Sequence, residues 1–319
     1  MRNIFKQSGL LFLLLVLSAC VGSPAPQAAQ PGRLNVVATT SIVADVVRNV
    51  GGEYVEVIIL LPVGTDSHSF QPTPQDVAKV AQADVVFANG AGLEEFLEPM
   101  LENAEGKADV VEVSDGIELV EAPDLHANEQ DGEHTDEEDH AHAGGDPHTW
   151  FDPYNVIVWT KNIEQKLSTL DPEHAQVYAD NAQAYQRQLE ELDGWIREQV
   201  AQIPAANRRL VTDHNEFTYF VVRYGFEQVG TVIPSYSTLA QPSAQDLARL
   251  EDTVRELDVK AIFVGETVNP NLAQRVAQDT GTQLVYLYTA SLSGPEGPAA
   301  SYLDFMRYDV SAIVQALKQ

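Results

Sequence analysis

Cysteine is all but missing from this chain of 319 residues, with Cys20 the sole example. No intramolecular disulfide can form, and no thiolate metal site can be built. Positive charge is scarce too: 19 Lys and Arg stand against 47 Asp and Glu, a formal net charge of -28 at pH 7. So acidic a surface repels nucleic acid and anionic lipid, and it disfavours phosphate-bearing ligands. Neither common phosphate-cradling glycine loop is present, and there is no His-Glu-x-x-His segment. The apolar run from Leu10 to Leu17 falls well short of the roughly 20 residues that span a bilayer.

With 44% hydrophobic and 21% charged residues, the composition is that of a soluble chain with material for about two domains. Residues 1–20 stand apart from the fold. Arg2 and Lys6 give a basic start, Leu10 to Leu17 an apolar core, and Leu17-Ser18-Ala19-Cys20 a closing box, the pattern of an export signal. That box resembles the lipobox of bacterial lipoproteins, which implies removal of the signal and a lipid on Cys20. Residues 21–32, rich in Ala, Pro and Gln, read as an extended tether.

From Leu34 onward, short β-branched runs alternate with helical patterns. Strands are expected at Leu34 to Thr39, Val55 to Leu61, Val85 to Ala88 and Val110 to Val113, with helices beginning at Ser41, Thr73 and Leu93. The region 152–202 turns helical, first from Pro153 to Leu170 and then from Asp171-Pro172 to about Val200. Apolar residues Val177, Ala182, Tyr185, Leu189, Leu192, Ile196 and Val200 recur there at three to four residue spacing. The alternation resumes at Arg209 and ends in a helix from Tyr302 to Leu317. The predicted fold is α/β: two doubly wound parallel-sheet lobes, 33–151 and 203–319, joined by a long rigid helix. The lobes look like weak copies. Gln71-Pro72-Thr73 with Gln75-Asp76 is echoed by Gln241-Pro242-Ser243 with Gln245-Asp246, and Val46-Val47-Arg48 by Val221-Val222-Arg223. In open α/β sheets ligands bind beyond the carboxyl ends of strands, which places the site in the cleft between the lobes.

Three histidines fall at such strand ends: His68 after the second strand of the first lobe, His148 at that lobe's end, and His214 after the first strand of the second lobe. Three neutral imidazoles suit Zn(II), with a fourth tetrahedral position to fill. The loop 121–146 leading to His148 holds ten carboxylates, the four imidazoles of His126, His134, His140 and His142, and no Lys or Arg. It cannot bury enough apolar surface to fold, and is expected to be a mobile auxiliary collector of metal. Pro147, Trp150 and Phe151 are expected to hold His148 in a packed wall, whereas His174, far from any strand end, is expected to bind nothing.

These segments resemble the bacterial ABC-transporter solute-binding proteins for zinc and manganese. Pro62-Val63-Gly64-x-Asp66-x-His68 through Asp76 is similar to the first metal-ligand motif of that family, Asp146-Pro147-His148-x-Trp150-Phe151-Asp152-Pro153 to the second, and His214 with Phe217, Tyr219, Phe220 and Tyr224-Gly225 to the third. The resemblance implies a non-enzymatic, two-lobed protein, monomeric and held to the membrane only through its lipid. Such a protein captures a divalent metal outside the cytoplasm and presents it to a membrane permease. Glu266, in a family-like setting, is expected to have a supporting role.

The chain departs from the pattern at one ligand. The family commonly places a carboxylate in a Thr-Asp-Ser-like turn, and here that turn reads Thr289-Ala290-Ser291. With an oxygen donor lost and histidine at the third position, the preference is expected to move from manganese toward zinc. Water, Glu216 or a histidine of the acidic loop would fill the fourth position. The rival readings are a manganese or iron carrier, a zinc hydrolase built on three histidines and a water, and a tethered surface adhesin.

Overall fold

A computed structural model describes residues 32–104, 109–121 and 145–319, of which Gly32–Gln319 form one compact unit. The first sheet holds β1 (Leu34–Ala38), β2 (Val55–Ile59), β3 (Val85–Ala88) and β4 (Val110–Glu112), all parallel, in the order β2-β1-β3-β4. The second holds β5 (Arg209–Thr212), β6 (Glu227–Thr231), β7 (Ala261–Gly265) and β8 (Gln283–Leu287), parallel and in the matching order β6-β5-β7-β8. The chain is therefore two parallel-sheet α/β lobes of one topology.

The sequence echoes occupy equivalent places in the two lobes. Val46-Val47-Arg48 lies in α1 (Ser41–Gly51), which follows β1, and Val221-Val222-Arg223 in α6 (Thr218–Tyr224), which follows β5. The Gln-Pro-Thr and Gln-Pro-Ser segments open α2 (Pro74–Ala81) and α7 (Ala244–Glu256). Each start carries a reciprocal cap: the Thr73 and Ser243 hydroxyls accept from the Asp76 and Asp246 amides, whose carboxylates accept in return. The remaining helices are α3 (Leu97–Asn103), α4 (Pro153–Leu170), α5 (Ala175–Val200), α8 (Asn271–Thr280) and α9 (Tyr302–Leu317).

Three local expectations need correction. The second strand ends at Ile59, although Leu60 and Leu61 still donate to the Ala38 and Thr39 carbonyls, so the chain runs beside β1 without completing a ladder. The helix expected from Leu93 starts at Leu97, because the Glu94 carboxylate instead accepts from the Asn89 and Gly90 amides and holds a turn there. In the linking region, Asp171 stops α4, a 3-10 turn at Pro172–His174 restarts the chain, and α5 buries Tyr178 rather than Val177 at the head of its stripe.

At about 1.5 Å per residue, the 26 residues of α5 span roughly 39 Å. α5 packs on α1 and α4 and also on α9, so it touches both lobes. Each central strand presents alternate residues to two cores. Val36, Ala38, Ala261 and Phe263 face one cluster that continues through Trp159, Leu189 and Phe305, while Val37 and Val86, or Ile262 and Val264, face separate outer clusters. A core shared across the linking helices resists wide separation of the lobes.

Candidate metal centre

The three histidines arrive by different routes. His68 sits in the loop between β2 and α2, where its amide donates to Asp66 Oδ1 at 3.0 Å. His148 follows Asp146-Pro147, and one carboxylate oxygen, Asp146 Oδ1, accepts both its amide at 2.8 Å and its ring Nδ1 at 2.7 Å. His214 stands two residues past the end of β5; Asp213 Oδ1 takes its Nδ1, and Asp213 Oδ2 takes the Gly265 amide at 2.6 Å. A Cβ on Gly265 would collide with Thr289 Oγ1, so glycine lets the end of β7 pack against Thr289.

These rings converge. His68 Nε2 lies 3.2 Å from His148 Nε2, and His148 Nε2 lies 3.4 Å from His214 Nε2. Atoms able to bind metal on all three lie within 4.8 Å of one another. Because carboxylates accept at Nδ1 of His148 and His214, those nitrogens carry the protons and the Nε2 lone pairs face each other. Two facing lone pairs repel, and a cation between them turns the repulsion into coordination. His148 and His214 are only 1% and 2% exposed, while His68 is partly open to the cleft.

The charge around the rings points the same way. Asp146, Asp213 and Glu216 are all buried, and among the described residues none forms an ion pair with Lys or Arg. Glu216 Oε2 stands 3.7 Å from His214 Nε2, and neither Glu216 oxygen has a hydrogen-bond partner. Burial pushes the Glu216 carboxyl well above the ordinary carboxylate range, and the Asp213 charge adds to the effect. The Thr289 hydroxyl is near enough to offset this in part, without reaching hydrogen-bond geometry. Buried carboxylates without cationic side chains, grouped around imidazole lone pairs, form a site suited to a divalent metal.

A packed aromatic wall fixes the frame. Trp150 meets the His148 ring edge-on at 5.2 Å and donates through Nε1 to the Thr289 carbonyl at 2.9 Å, tying the two lobes together. Phe151 stacks on Phe217 at 4.2 Å, and the Tyr302 hydroxyl donates to the Trp150 carbonyl.

Comparison with known proteins decides the family. Residues 36–316 match the family model described as zinc-uptake complex component A, periplasmic. The chain belongs to this family. Its members are periplasmic metal-binding components of ABC transporters, so the chain is a solute-binding transport protein and not an enzyme, and the hydrolase reading falls. The chain is 34% identical over 320 residues, covering 100% of both chains, to the manganese-binding lipoprotein MntA of Halalkalibacterium halodurans. It is 29% identical over 328 residues to the iron-binding protein YfeA of Yersinia pestis, covering 100% of this chain and 99% of that one. Among solved structures, the periplasmic zinc-binding protein TroA of Treponema pallidum superposes with a TM-score of 0.77 at 26% identity, over 90% of this chain and 99% of that chain.

Within the fold of this family, the other expected residues divide sharply. His126, His134, His140, His142 and Cys20 lie outside the described residues. His174 is not within α5 but in the turn before it, bonded to Asp171 at 2.7 Å and stacked on Tyr54 at 3.8 Å, remote from the three rings. Glu266 is exposed and lines a cavity of about 230 Å³ with Tyr288 and Val63; its neighbour Gly265 is the residue that supports the site. Of the candidates for the fourth position beside Ala290, Glu216 is buried next to the rings. Asp146 and Asp213 are orienting groups that strand-end position alone does not single out, although Asp-x-His and Asp-His are visible in the sequence.

Proposed function

We propose that this protein captures a divalent transition metal outside the cytoplasm, zinc foremost, through His68, His148 and His214, and hands it to an ABC permease in the membrane. Cys20 carries the lipid that anchors it, and it works as a monomer. The carrying observation is the spacing of His148 Nε2 from the Nε2 atoms of His68 and His214. Bonds of about 2.0–2.1 Å in a tetrahedral zinc site put neighbouring ligand atoms about 3.3–3.4 Å apart, and the two spacings here are 3.2 and 3.4 Å.

Glu216 is the proposed fourth ligand. It approaches from the His214 side, in a group with Asp213 and His214, and replaces the oxygen that Ala290 cannot supply. A carboxylate binding through one or two oxygens also keeps manganese and iron within reach of the site. That second reading is favoured by relatives named for manganese and for iron.

Elemental analysis of protein purified without added metal, followed by zinc and manganese competition titrations, tests the proposal. One tightly held zinc per chain is expected. Stoichiometric manganese that zinc fails to displace would overturn the assignment of the ion. The histidines at 126, 134, 140 and 142 are proposed to gather metal for the central site. Deleting residues 127–143 should remove weak additional zinc equivalents and keep the tight one; an unchanged titration would leave the loop without that role.

A further inference from the structure

We infer that His68 is the ligand that leaves first, and that two hydrogen bonds from the second lobe, Thr238 to Asp66 and Gly64 to Ser291, position it and set how fast metal is released. The inference rests on the proposed three-histidine site.

The site is built asymmetrically. The segment holding His148 is bonded to both lobes: in the first, the Asn89 side-chain amide donates to the Pro147 carbonyl at 2.9 Å, the Asp146 amide donates to the Val120 carbonyl at 2.8 Å, and the Ser114 and Thr149 hydroxyls meet at 2.9 Å. In the second, Asp146 Oδ2 accepts the Thr218 amide at 3.2 Å, and the Asp146 carbonyl accepts the Tyr219 hydroxyl at 2.7 Å, both from α6. His214 is native to that lobe and is locked through Asp213 to Gly265. His148 and His214 are therefore both buried, and each is aimed by a carboxylate one or two residues away in its own segment.

His68 is placed differently. It lies in a loop of the first lobe, and its amide is held by Asp66 Oδ1. The other oxygen of that carboxylate, Oδ2, accepts the hydroxyl of Thr238 from the second lobe at 2.6 Å. Two residues earlier, Gly64 at φ +81° turns its amide toward the second lobe, where Ser291 Oγ accepts it at 2.9 Å. A side chain other than glycine would strain that turn. The Ser291 oxygen also meets Ser41 Oγ at 3.2 Å, so the contact belongs to a seam between the lobes.

One movement then does two things. Parting the lobes breaks the Thr238–Asp66 and Gly64–Ser291 bonds together, and the loop that aims His68 loses its external supports. His148 and His214 keep the carboxylates that aim them, because Asp146 and Asp213 belong to the same segments as the rings. Metal is left on two imidazoles and the Glu216 carboxylate, on the side of the cleft that has just opened. Asp66, Thr238 and Ser291 act through His68 and are positioning residues.

The test measures zinc association and chelator-driven zinc dissociation in the full chain, comparing wild type with Thr238→Val, Thr238→Ser and Ser291→Ala. A hydrogen bond to a charged group held only in the closed form should, when lost, raise the dissociation rate of Thr238→Val about tenfold or more, with association changed much less. Thr238→Ser, which restores the hydroxyl, should return the rate to within about twofold of wild type, and Ser291→Ala should fall between them. Dissociation within about twofold of wild type in both Thr238→Val and Ser291→Ala, or Thr238→Ser behaving like Thr238→Val, would overturn the inference. Should Thr238→Val not fold, Thr238→Ala takes its place against the same serine rescue. Wild-type protein that binds neither zinc nor manganese would remove the metal reading itself, a result visible before any variant is made.

Discussion

His148 and His214 present their Nε2 atoms to each other at 3.4 Å while Asp146 and Asp213 occupy their Nδ1 atoms. The pair is pre-set as two acceptors, so the protein has met the cost of orienting them before metal arrives. Asp213→Asn should lower zinc affinity by about 10- to 100-fold, the usual effect of losing the carboxylate behind a ligating histidine. Chelator competition measures it. An affinity within about threefold of wild type would deny Asp213 the orienting role.

Glu216 should decide how broadly the site accepts metals. Glu216→Ala is expected to weaken zinc by at least about tenfold, or 1.4 kcal/mol, and manganese by more, since the harder ion depends on the oxygen. Adding Ala290→Asp in that background should recover part of the loss by supplying a carboxylate from the opposite turn. The near-isosteric Glu216→Gln controls for packing. Equal affinities for both ions in wild type and Glu216→Ala would exclude the carboxylate from coordination.

Protons should compete with the metal. Ordinary imidazoles titrate near pH 6.5, and a ligand must be deprotonated to bind, so zinc affinity should fall steadily as the medium is acidified from about pH 7.5 to 5. Isothermal titration across that range checks it, and a flat profile would contradict histidine coordination.

Glu94 gives the metal-free fold a pH signature of its own. Burial raises its carboxyl to about 7 against the ordinary 4.5, despite hydrogen bonds from Thr39, Asn89 and Gly90 that favour the charged form. A carboxyl raised on folding contributes stability that is full below about pH 4.5 and is lost as pH climbs through about 7, at most about 3 kcal/mol. Urea unfolding of metal-free Glu94→Gln should therefore show a flatter dependence of stability on pH between about 4.5 and 7 than wild type. The variant should also be less stable overall, because an amide cannot accept from all three donors. Parallel profiles would mean that Glu94 does not govern that range.

Much of this protein was legible in its order of residues. Parallel strands in an α/β fold declared themselves as β-branched runs separated by helical periods, and the duplicated lobes by echoes such as Thr73 with Asp76 and Ser243 with Asp246, which are local capping patterns and so survive in the sequence. His68, His148 and His214 were nameable because each stands at or beyond a strand's carboxyl end. What local patterns could not carry was decided by packing at long range. That Asp146 binds α6, that Glu94 ends as a buried turn anchor, that Glu216 loses every donor, and that Thr238 reaches Asp66 across 172 positions all depend on which surfaces the linking helices bring together. Periodicity reports neighbours along the chain; burial and the distances between imidazoles exist only once two sheets face each other across a shared core.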